Sequence, residues 1–335
     1  MKNILIISDG IPGHFNQSRG VASLLSNRYS SNIKITDIAF KSHKFRGLIK
    51  FFSRFLMRMP SYFTAKTAFG LYFPINTNGI DLIISAGGKT APYTAAIRIL
   101  KNIPVIQLGS PRGLHSSIFD ALVTVERYYQ DPSNIIATIT PTLYSPIICS
   151  KAANEKGLNE HVLFLIGGNG TGYSYEARDW EFLIAGIKNI HNITNLPITI
   201  VTSRRSDPNV ERKIQLELQN LPINYSAWFH QGSKNLNLAA LFGSAKNIFV
   251  TEDSTMMISE SISSGKPVTT LFPRNIKSPK RYKAQIQKYL ALNLITREPI
   301  ENFCIKEIEN SSINIQSHLS ELCDQLEERI QWQEG

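Results

Sequence analysis

Cysteine is scarce in this 335-residue chain: Cys149, Cys304 and Cys323 stand far apart and are odd in number. That excludes a disulfide framework and any C-x-x-C zinc or redox site. Long hydrophobic runs are also missing, and none reaches the roughly 18 residues of a membrane-spanning helix. The opening stretch Lys2-Asn3-Ile4-Leu5-Ile6-Ile7-Ser8-Asp9 lacks the small-residue cleavage site of a signal peptide and reads as a buried strand. A reduced, cytoplasmic setting is therefore expected. No zinc-finger, RRM or KH signature occurs, so nucleic acid is not an expected partner. Low-complexity segments and strong short-period repeats are absent too. What remains is an ordinary globular composition, 42% hydrophobic and 19% charged, at a length that suggests two domains of roughly 100–200 residues each.

Acidic residues are missing altogether between Asp37 and Asp81. The net charge of +10 is concentrated accordingly: residues 1–150 carry 16 Lys and Arg against 6 Asp and Glu, while residues 151–335 carry 20 of each. Within the acid-free stretch Arg46, Lys50, Arg54 and Arg58 recur every four residues, which places one basic stripe along a helix. Phe45, Leu48, Ile49, Phe51, Phe52, Phe55, Leu56 and Met59 fill the rest of that helix, and Pro60 stops it. A basic amphipathic helix rich in Phe and Leu is attracted to an anionic membrane surface. The stripe is therefore expected to be a membrane contact, against the plainer reading of a solvated face.

Short aliphatic runs at Ile4–Ser8, Ile33–Ile38, Leu82–Ser85, Val105–Leu108 and Ala121–Val125 alternate with helical or loop segments. The pattern restarts at Val162–Ile166, Ile198–Thr202, Ile248–Thr251 and Val268–Leu271, with helices predicted over Asp179–Ile190, Asn209–Leu218, Leu236–Phe242 and Thr255–Ser263. This alternation predicts parallel sheets with helices on both faces. The reading is two tandem Rossmann-like α/β domains facing a central cleft, residues 1–145 and 146–310. The linker is placed within Thr140–Asn159, and the C-terminal segment 311–335, with a helix over Ser317–Gln331, is expected to pack across the domains.

Ligands of open α/β sheets bind at the carboxyl ends of strands, so the residues following each strand carry the functional argument. After the first strand, Asp9-Gly10-Ile11-Pro12-Gly13-His14 combines a glycine turn with a helix start. His14 there can take a proton from an attacking hydroxyl, and Asp9 can orient it or act as the base itself. After the third strand, Gly87-Gly88-Lys89-Thr90 resembles the end of a phosphate loop but lacks its first glycine and spacer. Arg112 adds a cation after the fourth strand.

In the second half, Gly167-Gly168-Asn169-Gly170-Thr171-Gly172 suggests a backbone cradle for phosphate or sugar. Ser203-Arg204-Arg205 can clamp a diphosphate through paired arginines. Asp253, Ser254 and Thr255 arrive at a helix N-terminus suited to phosphate, and Glu260, on that helix, can accept hydrogen bonds from sugar hydroxyls.

The set Asp9-Gly10…Gly13-His14…Gln17, Gly87-Gly88, Pro111-Arg112, Phe119-Asp120, Gly167-Gly168, Ser203-Arg204-Arg205 and Thr251…Asp253-Ser254…Met257…Ser259-Glu260…Gly265-Lys266-Pro267-Val268 resembles the mitochondrial-fission Elm proteins of plants and their bacterial relatives. Those proteins look like GT-B glycosyltransferases. The resemblance implies a nucleotide-sugar donor held mainly by the second domain and an acceptor held by the first. Arg204, Arg205, Ser254 and Thr255 would hold the donor diphosphate, with Gly167, Gly168, Asn169, Ser203, Asp253 and Glu260 completing the nucleotide-sugar site. Gly13, Gln17, Gly87, Gly88, Lys89 and Arg112 would line the acceptor site. The expected activity is a metal-independent, cofactor-free transfer to a glycolipid or oligosaccharide acceptor, in lipopolysaccharide-core or other cell-surface glycan assembly. Its expected location is peripheral, on the inner face of a bacterial inner membrane. Two other readings stay open: a non-catalytic GT-B-like membrane scaffold of the Elm type, and a hydrolase or epimerase on the same scaffold.

Overall fold

A computed structural model describes residues 1–42, 44–232, 237–305 and 314–330. The chain divides into two compact units, Met1–Leu143 with His318–Gly335, and Tyr144–Ser317.

The first unit contains, in order, β1 (Lys2–Ser8), α1 (Pro12–Ser26), β2 (Ser31–Asp37), α2 (Arg46–Met57), α3 (Tyr62–Gly70), β3 (Leu82–Ala86), α4 (Ala91–Lys101), β4 (Val105–Leu108), β5 (Ala121–Thr124) and β6 (Asn134–Ile136). Its six strands form one sheet in the order β2-β1-β3-β4-β5-β6, and all five pairings are parallel. Side chains alternate across the pleat, so Leu5, Ile7 and Ile83 pack with Met57, Ala65 and Ile97 from α2, α3 and α4. Ile4, Ile6, Leu82 and Ile84 pack on the other face with Val21, Ala22 and Leu25 of α1. Covering on both faces leaves β3 and β4 buried throughout, and their two polar residues bond to each other, the Ser85 hydroxyl donating to Gln107 Oε1 at 2.6 Å.

The second unit adds α5 (Pro146–Lys156), β7 (His161–Ile166), β8 (Tyr173–Ser174), α6 (Ala177–Thr194), β9 (Ile198–Thr202), α7 (Pro208–Glu217), β10 (Ile223–Ala227), α8 (Leu238–Ser244), β11 (Ala245–Thr251), α9 (Thr255–Ser263), β12 (Val268–Phe272), β13 (Asn275–Ile276), α10 (Lys280–Ala291) and β14 (Thr296–Pro299). Its main sheet runs β10-β9-β7-β11-β12-β14, again wholly parallel. Counting only the strands of that sheet, this is the doubly wound Rossmann order. The last helix, α11 (Ile315–Arg329), sets Leu322, Cys323 and Leu326 into the first unit's core beside α1.

The stretch expected to be a linker is occupied by α5. Ser145 caps it by accepting the Ile148 N–H at 3.2 Å, Pro146 opens it, and Gly157 closes it at φ 59°. Three strands of the two six-stranded sheets were not anticipated, nor were β8 and β13, which pair only with each other: β6 has three residues, while β10 and β14 are sheet edges of mixed polarity with no buried aliphatic run. The helix expected over Leu236–Phe242 runs over Leu238–Ser244 instead, and Leu236 lies outside the described residues. Gln331, expected to end the tail helix, lies outside them as well.

Candidate active site

In the first sheet the winding reverses between β1 and β3, and the carboxyl ends at such a crossover are where open α/β sheets take ligands. Asp9 and His14 follow β1 directly. Gly10 turns the chain at φ 75° and Pro12 starts α1, which brings His14 back over Asp9. The Asp9 side chain is 1% exposed and that of His14 33%. His14 Nδ1 lies 3.2 and 3.1 Å from the two Asp9 carboxylate oxygens, and the Ile11 N–H donates to Oδ1 at 3.1 Å. Lys89 Nζ donates to the Asp9 carbonyl at 3.4 Å and stands 4.0 Å from Oδ2.

Burial pushes the Asp9 carboxyl up, but the hydrogen bond and charge of His14, the Ile11 N–H and the Lys89 charge together hold it below its ordinary 3.8. An ionised carboxylate only accepts, so Nδ1 carries a proton, and in the neutral ring Nε2 presents its lone pair. The sequence left the base open between these two residues. The Asp9 carboxylate lies behind the His14 ring, against Nδ1.

Gly87, expected to line an acceptor site, packs against the His14 imidazole. At φ 87°, a Cβ placed there would lie 2.3 Å from His14 Nδ1. Its neighbour Gly88 accepts from Arg54 Nε and Nη2 at 3.2 and 2.8 Å. A Cβ on Gly88 would meet Arg112 Cγ at 2.4 Å, and one on Gly113 would meet Arg58 Nη2 at 3.1 Å. Burial and then the charges of Arg54, Lys89, Arg112 and Arg46 push the Lys50 ammonium down. Gln17 reaches toward Gly109, and Gly13 is the second residue of α1.

These contacts correct the reading of the basic helix. Arg46, Lys50, Arg54 and Arg58 were expected to form one basic stripe in contact with a membrane. Instead Ser53 and Met57 form the buried face of α2, the Ser53 hydroxyl bonding Tyr72 Oη at 2.9 Å. Lys50 and Arg54 sit half-buried on its shoulder, turned toward Gly88, Lys89 and Arg112. The outward face is aromatic: Phe51, Phe55 and Met59 are 69%, 57% and 77% exposed, with Tyr62 and Phe63 of α3 exposed as well. A guanidinium needs acceptors that the Gly88 carbonyl supplies, whereas the core under α2 takes Ser53 and Met57, with Ile49 and Leu56 packed at its margin.

In the second sheet the winding reverses between β7 and β11. Here the expected nucleotide-sugar residues largely hold one another. Thr251 Oγ1 accepts the Gly167 N–H at 2.7 Å and donates to Asp253 Oδ1 at 2.8 Å. Arg205 Nη1 donates to Asp253 Oδ2 at 2.9 Å and to its carbonyl at 2.7 Å, and the Thr171 hydroxyl reaches the same carbonyl at 3.0 Å.

Asp253 is fully buried, and burial pushes its carboxyl up against the opposing pull of Arg205, Thr251 and the Gly168 N–H. A Cβ on Gly167 would fall 2.0 Å from Asp253 Oδ1, and one on Gly168 the same distance from the Arg205 carbonyl oxygen. The glycines let three strand ends close on each other. Asn169 accepts the Tyr175 N–H at 2.7 Å, Ser203 accepts the Arg205 N–H at 3.1 Å, and Ser254 caps α9.

The expected arginine clamp is thus divided. Arg205 is tied to Asp253, whereas Arg204 is exposed and pairs with no carboxylate among the described residues. Thr255 is half-buried at the start of α9, and Glu260 is 9% exposed within it.

One cluster went unassigned in the sequence. Glu252, fully buried, takes Arg297 Nε at 2.7 Å and Nη2 at 3.1 Å, plus the Thr270 hydroxyl at 2.8 Å. Its N–H donates to Tyr175 Oη at 2.9 Å and its carbonyl accepts from Tyr282 Oη. Burial raises both phenols well above their ordinary value. An acidic residue ending a buried strand was the available signal, since it requires a cationic partner.

Among the described residues no group of three or more His, Cys, Asp or Glu side chains is placed to hold a metal ion, and no helix is long and apolar enough to cross a membrane.

Two Rossmann-like units of this kind define the GT-B glycosyltransferase-like fold. The UDP-GlcNAc 2-epimerase from Methanocaldococcus jannaschii superposes with a TM-score of 0.53 at 12% identity, covering 96% of this chain and 98% of that one. E. coli ADP-heptose lps heptosyltransferase II superposes with a TM-score of 0.45 at 13% identity, covering 98% and 99%. The family described as Mitochondrial fission ELM1 matches residues 12–312, and the chain belongs to that family. The uncharacterized protein RP120 of Rickettsia prowazekii (strain Madrid E) is 24% identical over 328 residues, covering 83% of this chain and 85% of the relative.

Proposed function

We propose that this protein is a glycosyltransferase that moves a sugar from a nucleotide-sugar donor to a hydroxyl of a glycolipid or oligosaccharide acceptor, without a metal ion, in cell-surface glycan assembly such as that of the lipopolysaccharide core. The observation that carries the reading is the His14–Asp9 pair at the carboxyl end of β1, with a half-exposed imidazole whose Nδ1 is held by a buried carboxylate. The acceptor O–H gives its proton to Nε2 as its oxygen attacks the anomeric carbon and the bond to the nucleotide diphosphate breaks. Asp9 stabilises the imidazolium that forms.

In the second unit the negative charge on the departing diphosphate meets Arg204 and the N-terminus of α9 beside Thr255. Gly167 and Gly168 supply a loop without side chains for the sugar or phosphate to approach. Membrane attachment, on the cytoplasmic face of a bacterial inner membrane, is assigned to the aromatic face of α2 and α3, whose neighbouring cations complement anionic lipid. The test is His14→Ala: transfer is abolished while nucleotide affinity stays near that of the wild type. Equal loss of both sinks the base assignment.

The same exposed aromatic face favours a second reading, a non-catalytic GT-B-like scaffold of the Elm type. It requires function to survive His14→Ala and to fail when Phe51 and Phe55 are made polar.

A further inference from the structure

Five cations gather about the loops that follow β3 and β4. Arg54 and Arg112 both lie against Gly88, Arg58 against Gly113, and Lys50 and Lys89 complete the group. Glycine at positions 88 and 113 is what admits the guanidinium groups of Arg54 and Arg58, since a Cβ at Gly88 would meet Arg54 Nη2 at 2.8 Å and one at Gly113 would meet Arg58 Nη2 at 3.1 Å. Among the described residues no carboxylate lies within ion-pairing distance of Lys50, Arg54, Arg58 or Arg112. Lys89 alone has one, Asp9 at 4.0 Å, and that carboxylate already holds His14. Like charges gathered in this way repel, and the cost is offset when an anion enters. Arginine forks match the oxygens of a phosphate, and five cations match a dianion or diphosphate better than a single carboxylate.

We infer that Lys50, Arg54, Arg58, Lys89 and Arg112 bind a phosphate group carried by the acceptor, fixing the acceptor hydroxyl beside His14. The placement of the hydroxyl rests on the transferase reading above, whereas the anion site rests on the first unit's geometry alone.

Inorganic pyrophosphate titrated calorimetrically into the full-length protein tests it. The paired variant Lys50→Gln/Arg112→Gln should bind about tenfold more weakly or worse, as loss of charged hydrogen bonds implies. Lys66→Gln, which removes an exposed cation from α3, should bind like the wild type. The paired variant should also unfold at or above the wild-type temperature, because it relieves repulsion, so lost binding is not lost folding.

Equal pyrophosphate affinity in wild type and paired variant overturns the site. So does an equal loss in Lys66→Gln. Competition then distinguishes the source. Displacement of pyrophosphate by vesicles containing phosphatidic acid assigns a lipid phosphate, displacement by glucose 6-phosphate assigns a glycan phosphate, and displacement by neither overturns the assignment to an acceptor. UDP, GDP, CMP, ADP and dTDP titrated in parallel separate the two ideas. Failure of every nucleotide with the pyrophosphate pattern intact sinks the transferase and leaves the anion site. The reverse sinks the anion site alone.

Discussion

Gly87→Ala perturbs the candidate base without touching it chemically, and its cost can be worked from two terms. An alanine at φ 87° occupies a left-handed conformation that costs about 1–2 kcal/mol. Its Cβ would also stand 2.3 Å from His14 Nδ1, so the ring must swing away from Asp9. That breaks a hydrogen bond to an ionised carboxylate, worth about 1.5–3 kcal/mol. The total is about 2.5–5 kcal/mol, which at roughly 2–4 °C per kcal/mol for a unit of this size lowers the melting midpoint by roughly 5–20 °C. The assay is thermal or urea unfolding of four proteins: wild type, Gly87→Ala, His14→Ala and the double variant. With His14 already removed, Gly87→Ala should cost only the backbone term, leaving a coupling of about 1.5–3 kcal/mol. Equal costs in both backgrounds would refute the claim that Gly87 exists to seat His14.

Arg297→Met strands Glu252 as an unpaired buried charge and should destabilise the second unit by about 3–5 kcal/mol in urea unfolding. Adding Glu252→Gln should recover part of that loss. Asp9 titrates in the folded protein below its unfolded value of 3.8. Its stabilising contribution is therefore full above that pH and disappears as the pH falls through the folded value, and Asp9→Asn should flatten that acid limb in pH-dependent melting. Phe51→Ser/Phe55→Ser should abolish pelleting with phosphatidylglycerol vesicles while leaving the melting temperature almost unchanged, since both rings are exposed. Unaltered pelleting would remove α2 from the membrane contact.

The sheets were legible because their central strands are covered on both faces, and runs such as Leu82–Ile84 and Val162–Ile166 are wholly apolar. Edges carry no such constraint, which is why β10 and β14 escaped notice. The strand-end motifs were legible as positions but less so as roles. Spacing placed Asp253 beside Ser254 and Thr255 at a helix start, yet gave no sign that its carboxylate is buried under Gly167 and tied to Arg205. The basic helix shows the same limit most clearly. A four-residue repeat fixes which residues share a stripe, but not which side faces the protein. That choice depended on Gly88, about thirty residues further along the chain, offering a carbonyl to Arg54.

Thermal unfolding of wild type and His14→Ala with UDP, GDP, CMP, ADP and dTDP, each at about 1 mM, tests the central claim most directly. A ligand at a hundredfold its Kd stabilises the native state by about 2.7 kcal/mol, which is roughly 5–10 °C for a unit of this size. The account predicts such a shift from one nucleotide alone, equal in both proteins, because the donor binds the second unit and the base lies in the first. No shift from any nucleotide, or one abolished by His14→Ala, would contradict it.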